Sequence, residues 1–349
     1  MLFLFPLCNL LSEDEEQKNM KNRITCILSL AILCSNITLA QTTAIRGNYL
    51  GQTQPGTRAE IFMPGIISTS LNDRDLVFSP GMNEIIYCVL EKPHSVMIGM
   101  KCEEGIWSAP YILPFSGKYN DCEPQFSPDG RRLYFSSDRP LKEGDKPKDY
   151  DIWYVERSDR GWGEPQNPGA PLNSDKNEFY PSVTTTGVLY FTSHNMKICK
   201  SRITENGFEQ PEMLTDSVNS GSAEYNAYIA PDESYLIFTS HGWEGGRAGR
   251  GDLFISFRKN DGTWSKAYNF GSEVNSPTAD MSPSVTPDGK FLFFSSWRTN
   301  EEYDPEPINT YEEIFMKADK PMNGRSDVYW VSTVIIDSLK KVCLGEIKQ

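Results

Sequence analysis

Residues 121–137 read Asp-Cys-Glu-Pro-Gln-Phe-Ser-Pro-Asp-Gly-Arg-Arg-Leu-Tyr-Phe-Ser-Ser. Two short apolar runs flank Ser127-Pro128-Asp129-Gly130. Pro128 presets φ at the first turn position, Asp129 can accept a bond from its own backbone, and Gly130 takes positive φ without strain. Leu133, Tyr134 and Phe135 are strand formers and two serines follow them. The stretch predicts a β-hairpin.

The hairpin recurs. Residues 280–296 contain Pro-Ser-Val-Thr-Pro-Asp-Gly-Lys-Phe-Leu-Phe-Phe-Ser-Ser, and residues 224–240 contain Tyr-Ile-Ala-Pro-Asp-Glu-Ser-Tyr-Leu-Ile-Phe-Thr-Ser. Residues 178–193 keep the strands but turn at Thr184-Thr185-Thr186-Gly187, one residue shorter. Residues 73–89 are a worn copy with Gly81 where the turn Asp stands elsewhere. The turn prolines Pro80, Pro128, Pro231 and Pro287 are separated by 128 − 80 = 48, 231 − 128 = 103 (two repeats) and 287 − 231 = 56. A period of about fifty residues with four short strands per unit marks an all-β protein of β-propeller type. Third strands often open on an acid, as at Asp151, Asp252 and Asp327, and the outer strands carry Trp107, Trp162, Phe208 and Trp264.

The last repeat has no aromatic outer strand after Val331, whereas the stretch around Ile61 looks like a repeat tail with nothing before it. The two are expected to share one blade, which leaves no sheet edge open. Five repeat units are counted in this way. A six-bladed ring, with an irregular blade from 41–72 and 332–349, is the alternative.

Ser-Pro-Asp-Gly followed by Leu-Tyr-Phe-Ser-Ser, then Asp-Ile-Trp and Gly-x-Trp, resembles the WD40-like repeat of TolB-type bacterial propellers over residues 60–335. The resemblance implies an envelope interaction protein, and propellers of this kind serve many purposes. TolB-type proteins carry a separate N-terminal domain for which this chain has no room.

The totals agree with the repeats. Gly 26 and Pro 23, with aromatics at 12 %, suit many strands and turns. A net charge of −13 argues against nucleic acid and anionic membranes as partners. Met20-Lys21-Asn22-Arg23, the apolar run 24–33 and Thr38-Leu39-Ala40 form a signal-peptide pattern with cleavage before Gln41, in an apolar run too short to span a bilayer. Residues 1–40 are therefore read as leader, with 1–19 as a mis-assigned extension. Residues 41–56 are read as a linker or edge segment, 57–340 as one propeller domain and 341–349 as a tail. The mature protein is expected to be periplasmic or secreted, monomeric and without a stable transmembrane span. Five cysteines remain after cleavage, an odd number with no Cys-x-x-Cys, so neither a disulfide framework nor a zinc site is expected.

Each repeat has an acid near the start of its first strand: Asp73, Asp121, Glu178, Glu224 and Asp280. First strands line a propeller channel, so these acids should ring one mouth. Repetition favours a structural role, because chemistry seldom needs one residue five times. No cofactor and no metal are expected, and a calcium-like cation at this ring has no further support. The loops after the second strands differ from copy to copy and place Arg139, His194, His241, Trp297 and Arg298 at the same mouth. Non-repeated residues there are the ligand candidates. Trp297 offers a stacking face and the arginines offer planar forks for an acidic peptide or a sugar acid. The longest insertions, 140–150, 242–251 and 299–325, crown the same face. The preferred function is a non-enzymatic binding or scaffolding module for an envelope protein, a peptide or a saccharide. The alternative is a glycoside hydrolase using Asp121, Glu178 and Asp280, which requires two of these carboxyls to stand unbridged at about 5–9 Å.

Overall fold

A computed structural model describes residues 44–243, 245–246, 251–299, 307 and 309–343. The expected leader and the mature start at Gln41 lie outside the described residues, as does the last part of the tail. No helix among the described residues is long and apolar enough to cross a membrane.

Strand β1 (Glu60–Ile61) comes first and stands apart from the run that follows. Blade 1 holds β2 (Asp73–Phe78), β3 (Glu84–Val89), β4 (Val96–Glu103) and β5 (Ile106–Trp107), with β6 (Tyr111–Ile112) also paired to β4. Blade 2 is β7 (Asp121–Phe126), β8 (Arg132–Ser137), β9 (Asp151–Ser158) and β10 (Gly161–Trp162). Blade 3 is β11 (Glu178–Val183), β12 (Val188–Ser193), β13 (Ile198–Thr204) and β14 (Gly207–Phe208), with β15 (Glu212–Met213) on β13. Blade 4 is β16 (Ala223–Ile229), β17 (Tyr235–His241), β18 (Asp252–Phe257) and β19 (Tyr268–Asn269). Blade 5 is β20 (Asp280–Val285), β21 (Phe291–Ser296), β22 (Asp327–Ser332) and, outermost, β1. The innermost strands β2, β7, β11, β16 and β20 each touch the next, and β20 returns to β2. The ring is a five-bladed propeller.

Closure follows the expected route. β1 pairs antiparallel with β22, Glu60 opposite Trp330 and Ile61 opposite Tyr329. The irregular sixth blade does not form, because its segments are used otherwise. Helix α1 (Tyr311–Ala318) lies in the long insertion of blade 5, and helix α2 (Val334–Cys343) packs Ile336 beside Tyr329 and Val331. Residues 45–51, within the stretch read as a linker or edge segment, lie along an edge and also form a wedge. Arg46 bridges to Ile106 on the edge of blade 1. Tyr49 and Leu50 are 3 % and 4 % exposed. The Tyr49 ring sits against Phe78 of blade 1 and against Phe291 and Trp330 of blade 5, and its hydroxyl donates to Asp288 at 2.5 Å. Burying those two side chains across the seam outweighs the polar character of the segment around them.

The turns form for the reasons their residues imply. In blade 2 the Gly130 N–H donates to the Ser127 carbonyl, Gly130 has φ +70°, and Asp129 accepts from the Ser127 hydroxyl and the Arg131 N–H. In blade 5 Asp288 accepts from the Thr286 hydroxyl and the Lys290 N–H.

One feature of every innermost strand is absent from simple alternation. Pairing slips between Arg74 and Val77, Cys122 and Gln125, Phe179 and Ser182, Tyr225 and Tyr228, and Met281 and Ser284. Each slip is a β-bulge whose central residue has left-handed φ: Asp75, Glu123, Tyr180, Asn226 and Ser282. Bulges bend a strand and re-aim a side chain. The repeated serines answer to this geometry. The first Ser or Thr after the second strand's aromatic takes the bulge N–H of the next blade, as Ser295 does for Asp75, Ser136 for Tyr180 and Thr192 for Asn226. The second serves its own blade's acid, as Ser137 does for Asp121 and Ser240 for Glu224.

Candidate functional site

The five repeated acids are all buried. Each backbone N–H ties its blade to the preceding one, as in Asp73 to the Ser326 carbonyl and Asp280 to the Gly251 carbonyl, both at 2.8 Å. Each carboxylate accepts at least one hydrogen bond or ion pair, although Oδ2 of Asp121 is buried without a partner. Asp73 accepts from the Thr69 N–H and hydroxyl, Glu178 from those of Ser174, and Asp280 from those of Ser276. Glu224 holds Lys197 at 2.5 Å and the Trp243 indole N–H at 3.1 Å. Asp121 holds Arg139 at 2.5 Å, and Asp280 also holds Arg298 at 3.3 Å. Burial raises the pKa of Asp121 and of Asp280 even against the arginine beside each, and burial likewise raises Glu178. Asp73 is pushed up to about 6 by burial.

The five loop residues divide. Arg139 is 7 % exposed, bonds the Phe115 carbonyl as well as Asp121, and lies over Phe135 and Trp153 at 5.1 and 5.5 Å. Arg298 bonds the Val274 carbonyl and lies over Tyr329 at 4.6 Å. Both forks are filled by their own blades. His194 is exposed and Trp297 half-buried. His241 shares a 2.8 Å hydrogen bond with the hydroxyl of Tyr225.

Below the acids, the bulges bring a polar cluster to the axis. The Arg74 guanidinium chelates Asp75, with Nε at 2.8 Å, donates to the Ser282 hydroxyl at 3.0 Å and faces Glu123 at 3.6 Å. The Asn226 amide donates to Ser282 at 2.8 Å. Glu123 accepts from the Ser136 hydroxyl and the Tyr180 N–H. The Tyr180 hydroxyl, from blade 3, reaches the Pro283 carbonyl of blade 5 at 3.0 Å. The cluster therefore links all five blades and crosses the axis. Burial, then the charge of Asp75, lifts Glu123 to about 7. The sequence did carry a signal for these residues: the two positions after each repeated acid differ in every copy, beginning with Arg74-Asp75 and Cys122-Glu123.

The concave surface lies on the opposite face, where the hairpin turns gather. An axial cavity of about 330 Å³ is walled by Val77, Phe126, Val183, Tyr228 and Val285, one residue per blade. Its rim is Pro80, Pro128, Thr185, Pro231 and Pro287. None of Arg139, His194, His241, Trp297 and Arg298 lines this cavity. Among the described residues, no group of three or more His, Cys, Asp or Glu could hold a metal ion.

No family model and no curated protein matches the chain. Solved structures with a similar fold include TolB from Acinetobacter baumannii, at 14 % identity and TM-score 0.44 over 75 % of this chain; the match spans 57 % of that TolB. A putative TolB from Agrobacterium tumefaciens matches at 14 % identity and TM-score 0.43, covering 75 % of this chain and 90 % of its own. An α-L-arabinofuranosidase from Podospora anserina in complex with cellotriose matches at 12 % identity and TM-score 0.44, covering 80 % and 94 %. In fold, the chain is a five-bladed β-propeller.

Proposed function

We propose that the protein is an exported binding module of the bacterial envelope that performs no chemistry of its own and takes a protein, a peptide or a saccharide. The observation that carries this is how the carboxylates are used. All five acids of the ring accept hydrogen bonds or ion pairs from flanking segments, and the axial pair Asp75 and Glu123 is bridged by Arg74. A glycosidase needs two carboxyls free to reach a sugar and a water. The open concavity, by contrast, carries no charged side chain and sets apolar walls beside a few polar groups such as Gln125 and Ser284, which suits binding. We assign Arg139 and Arg298 to holding their blades together. His194, His241 and Trp297 remain the residues a ligand can meet at the acid-ring mouth.

The test uses residues 41–349, immobilised and exposed to envelope extract, with parallel incubation on oligosaccharides and aryl glycosides. Saturable capture without turnover is expected. Sugar release that disappears in Asp121→Asn, Glu178→Gln or Asp280→Asn, or in the axial Asp75→Asn or Glu123→Gln, would assign the protein to the glycoside hydrolases instead. Export is checked separately by N-terminal sequencing of the mature protein, which should begin at Gln41.

A further inference from the structure

Blade 3 has the departing turn, Thr184-Thr185-Thr186-Gly187, and its consequence is visible on the turn face. The Thr185 N–H and hydroxyl both donate to the Pro231 carbonyl of blade 4, at 2.8 Å each. That ties the turn to blade 4, on its side away from blade 2. Between it and the turn of blade 2 a cleft of about 690 Å³ opens. The cleft shares Ser127, Pro128, Val183 and Thr185 with the axial cavity, so the two form one groove running outward from the axis.

The groove changes character along its length. The inner end is uncharged and walled mainly by Val77, Phe126, Val183, Tyr228 and Val285. The outer end carries Arg131, Arg132 and Arg157 beside Asp129 and Glu156. Arg132 is spent on Glu156 and on the Tyr154 ring, and Arg157 on Glu84 and the Trp162 ring. Arg131 differs. Its side chain is 86 % exposed, and its nearest acid is Asp129 at 4.0 Å, whose other oxygen already serves Ser127 and the Arg131 N–H. An exposed guanidinium of this kind recognises carboxylate.

Resting on the binding-module reading, we infer that this groove docks an extended acidic peptide. A large apolar side chain enters the axial cavity, and an aspartate or glutamate further along the peptide pairs with Arg131. A saccharide fits less well, because the aromatic side chains that line the groove, Phe78, Phe126, Tyr134 and Tyr228, are buried and offer little open ring face. A simple anion would leave the apolar end empty.

The experiment pans a phage-displayed random peptide library on residues 41–349 and measures a labelled synthetic copy of each enriched peptide by fluorescence anisotropy. Enriched peptides are expected to combine an aromatic or large aliphatic residue with an acid. Their affinity should fall about tenfold or more in Arg131→Glu and weaken with salt, as charge-paired contacts do. It should recover when the peptide's acid is replaced by lysine. Thr185→Trp, which fills the junction of cavity and cleft, should also abolish binding. Arg131→Glu alone decides the matter if that variant does not fold. No enrichment, enrichment without acids, or affinity indifferent to Arg131→Glu overturns the inference. The binding-module reading fails only on the glycosidase result described above, so the two failures are distinguishable.

Discussion

At the scale of single residues, position in the repeat separates similar side chains. Asp129 and Asp288 occupy equivalent turns. Hydrogen bonding from Ser127 lowers the pKa of Asp129, while at Asp288 burial acts upward but the bonds from Tyr49 and Thr286 outweigh it. Asp129→Ala should cost about 1 kcal/mol, the usual scale for a lost local bond. Asp288→Ala should cost more, because the Tyr49 hydroxyl, which comes from the wedge at the seam, loses its acceptor as well. Urea denaturation of both variants checks the order, and equal losses would remove Tyr49 from the seam's energetics. Arg139 is the stronger case. Arg139→Ala leaves Asp121 buried without its cation and should cost about 3–5 kcal/mol, the penalty for breaking a buried pair from one side. A variant with unchanged stability that has lost a ligand would restore Arg139 as a binding residue.

At the scale of elements, the ring is held by what joins blades rather than by what lies within them. Phe62, next to β1, is fully buried and meets Phe293 and Trp330 with ring centroids 4.9 and 5.0 Å away. It anchors the strand that closes blade 5. Phe62→Ala should lower stability by about 3–5 kcal/mol, as large-to-small core changes do. Removing residues 41–66 should also strip β22 of its outer partner and invite aggregation through the bared edge. Thermal melts and light scattering read both effects, and an unchanged melt after the truncation would mean that blade 5 does not need β1. The packing of Tyr49 and Leu50 was not legible in the sequence because their partners lie in blades 1 and 5, far along the chain.

At the scale of the whole molecule, the seam between blades 5 and 1 gives a pH dependence. Burial pushes Asp73 to about 6 and Asp327 to about 7, and each also feels the other carboxylate or Glu91. Asp73 is served by Thr69 and Asp327 by the Met322 N–H, with no lysine or arginine paired to either among the described residues. Both folded pKa values lie above the unfolded value, so the native state binds more protons across this window and stability falls as pH rises through it. Glu123, at about 7, acts in the same direction. The turn acids Asp129, Asp232 and Asp288 are held low, and their contribution is lost as pH falls through their folded values. The melting temperature should therefore be highest at about pH 5 and decline toward pH 8, and Asp327→Asn should flatten the decline. A melt that rises steadily from pH 5 to 8 would contradict it.

The sequence alone determined the architecture, because each blade is a local object. A turn rich in Pro, Asp and Gly, an aromatic second strand and, in three copies, an acid-led third strand recur at about fifty residues, and the mismatched tails around Ile61 and Val331 identified the closing blade. It also set the repeated acids at equivalent places, at the start of each innermost strand, since one residue repeated in register takes one level of the fold. Tertiary structure decided the rest. The bulges turn on which side chain of the preceding blade receives an N–H, and that partner lies dozens of residues away. The Arg74 cluster draws on five strands at once. The groove exists because a turn one residue shorter leans on the Pro231 carbonyl and leaves its other neighbour uncovered, a consequence that only packing around a closed ring can produce.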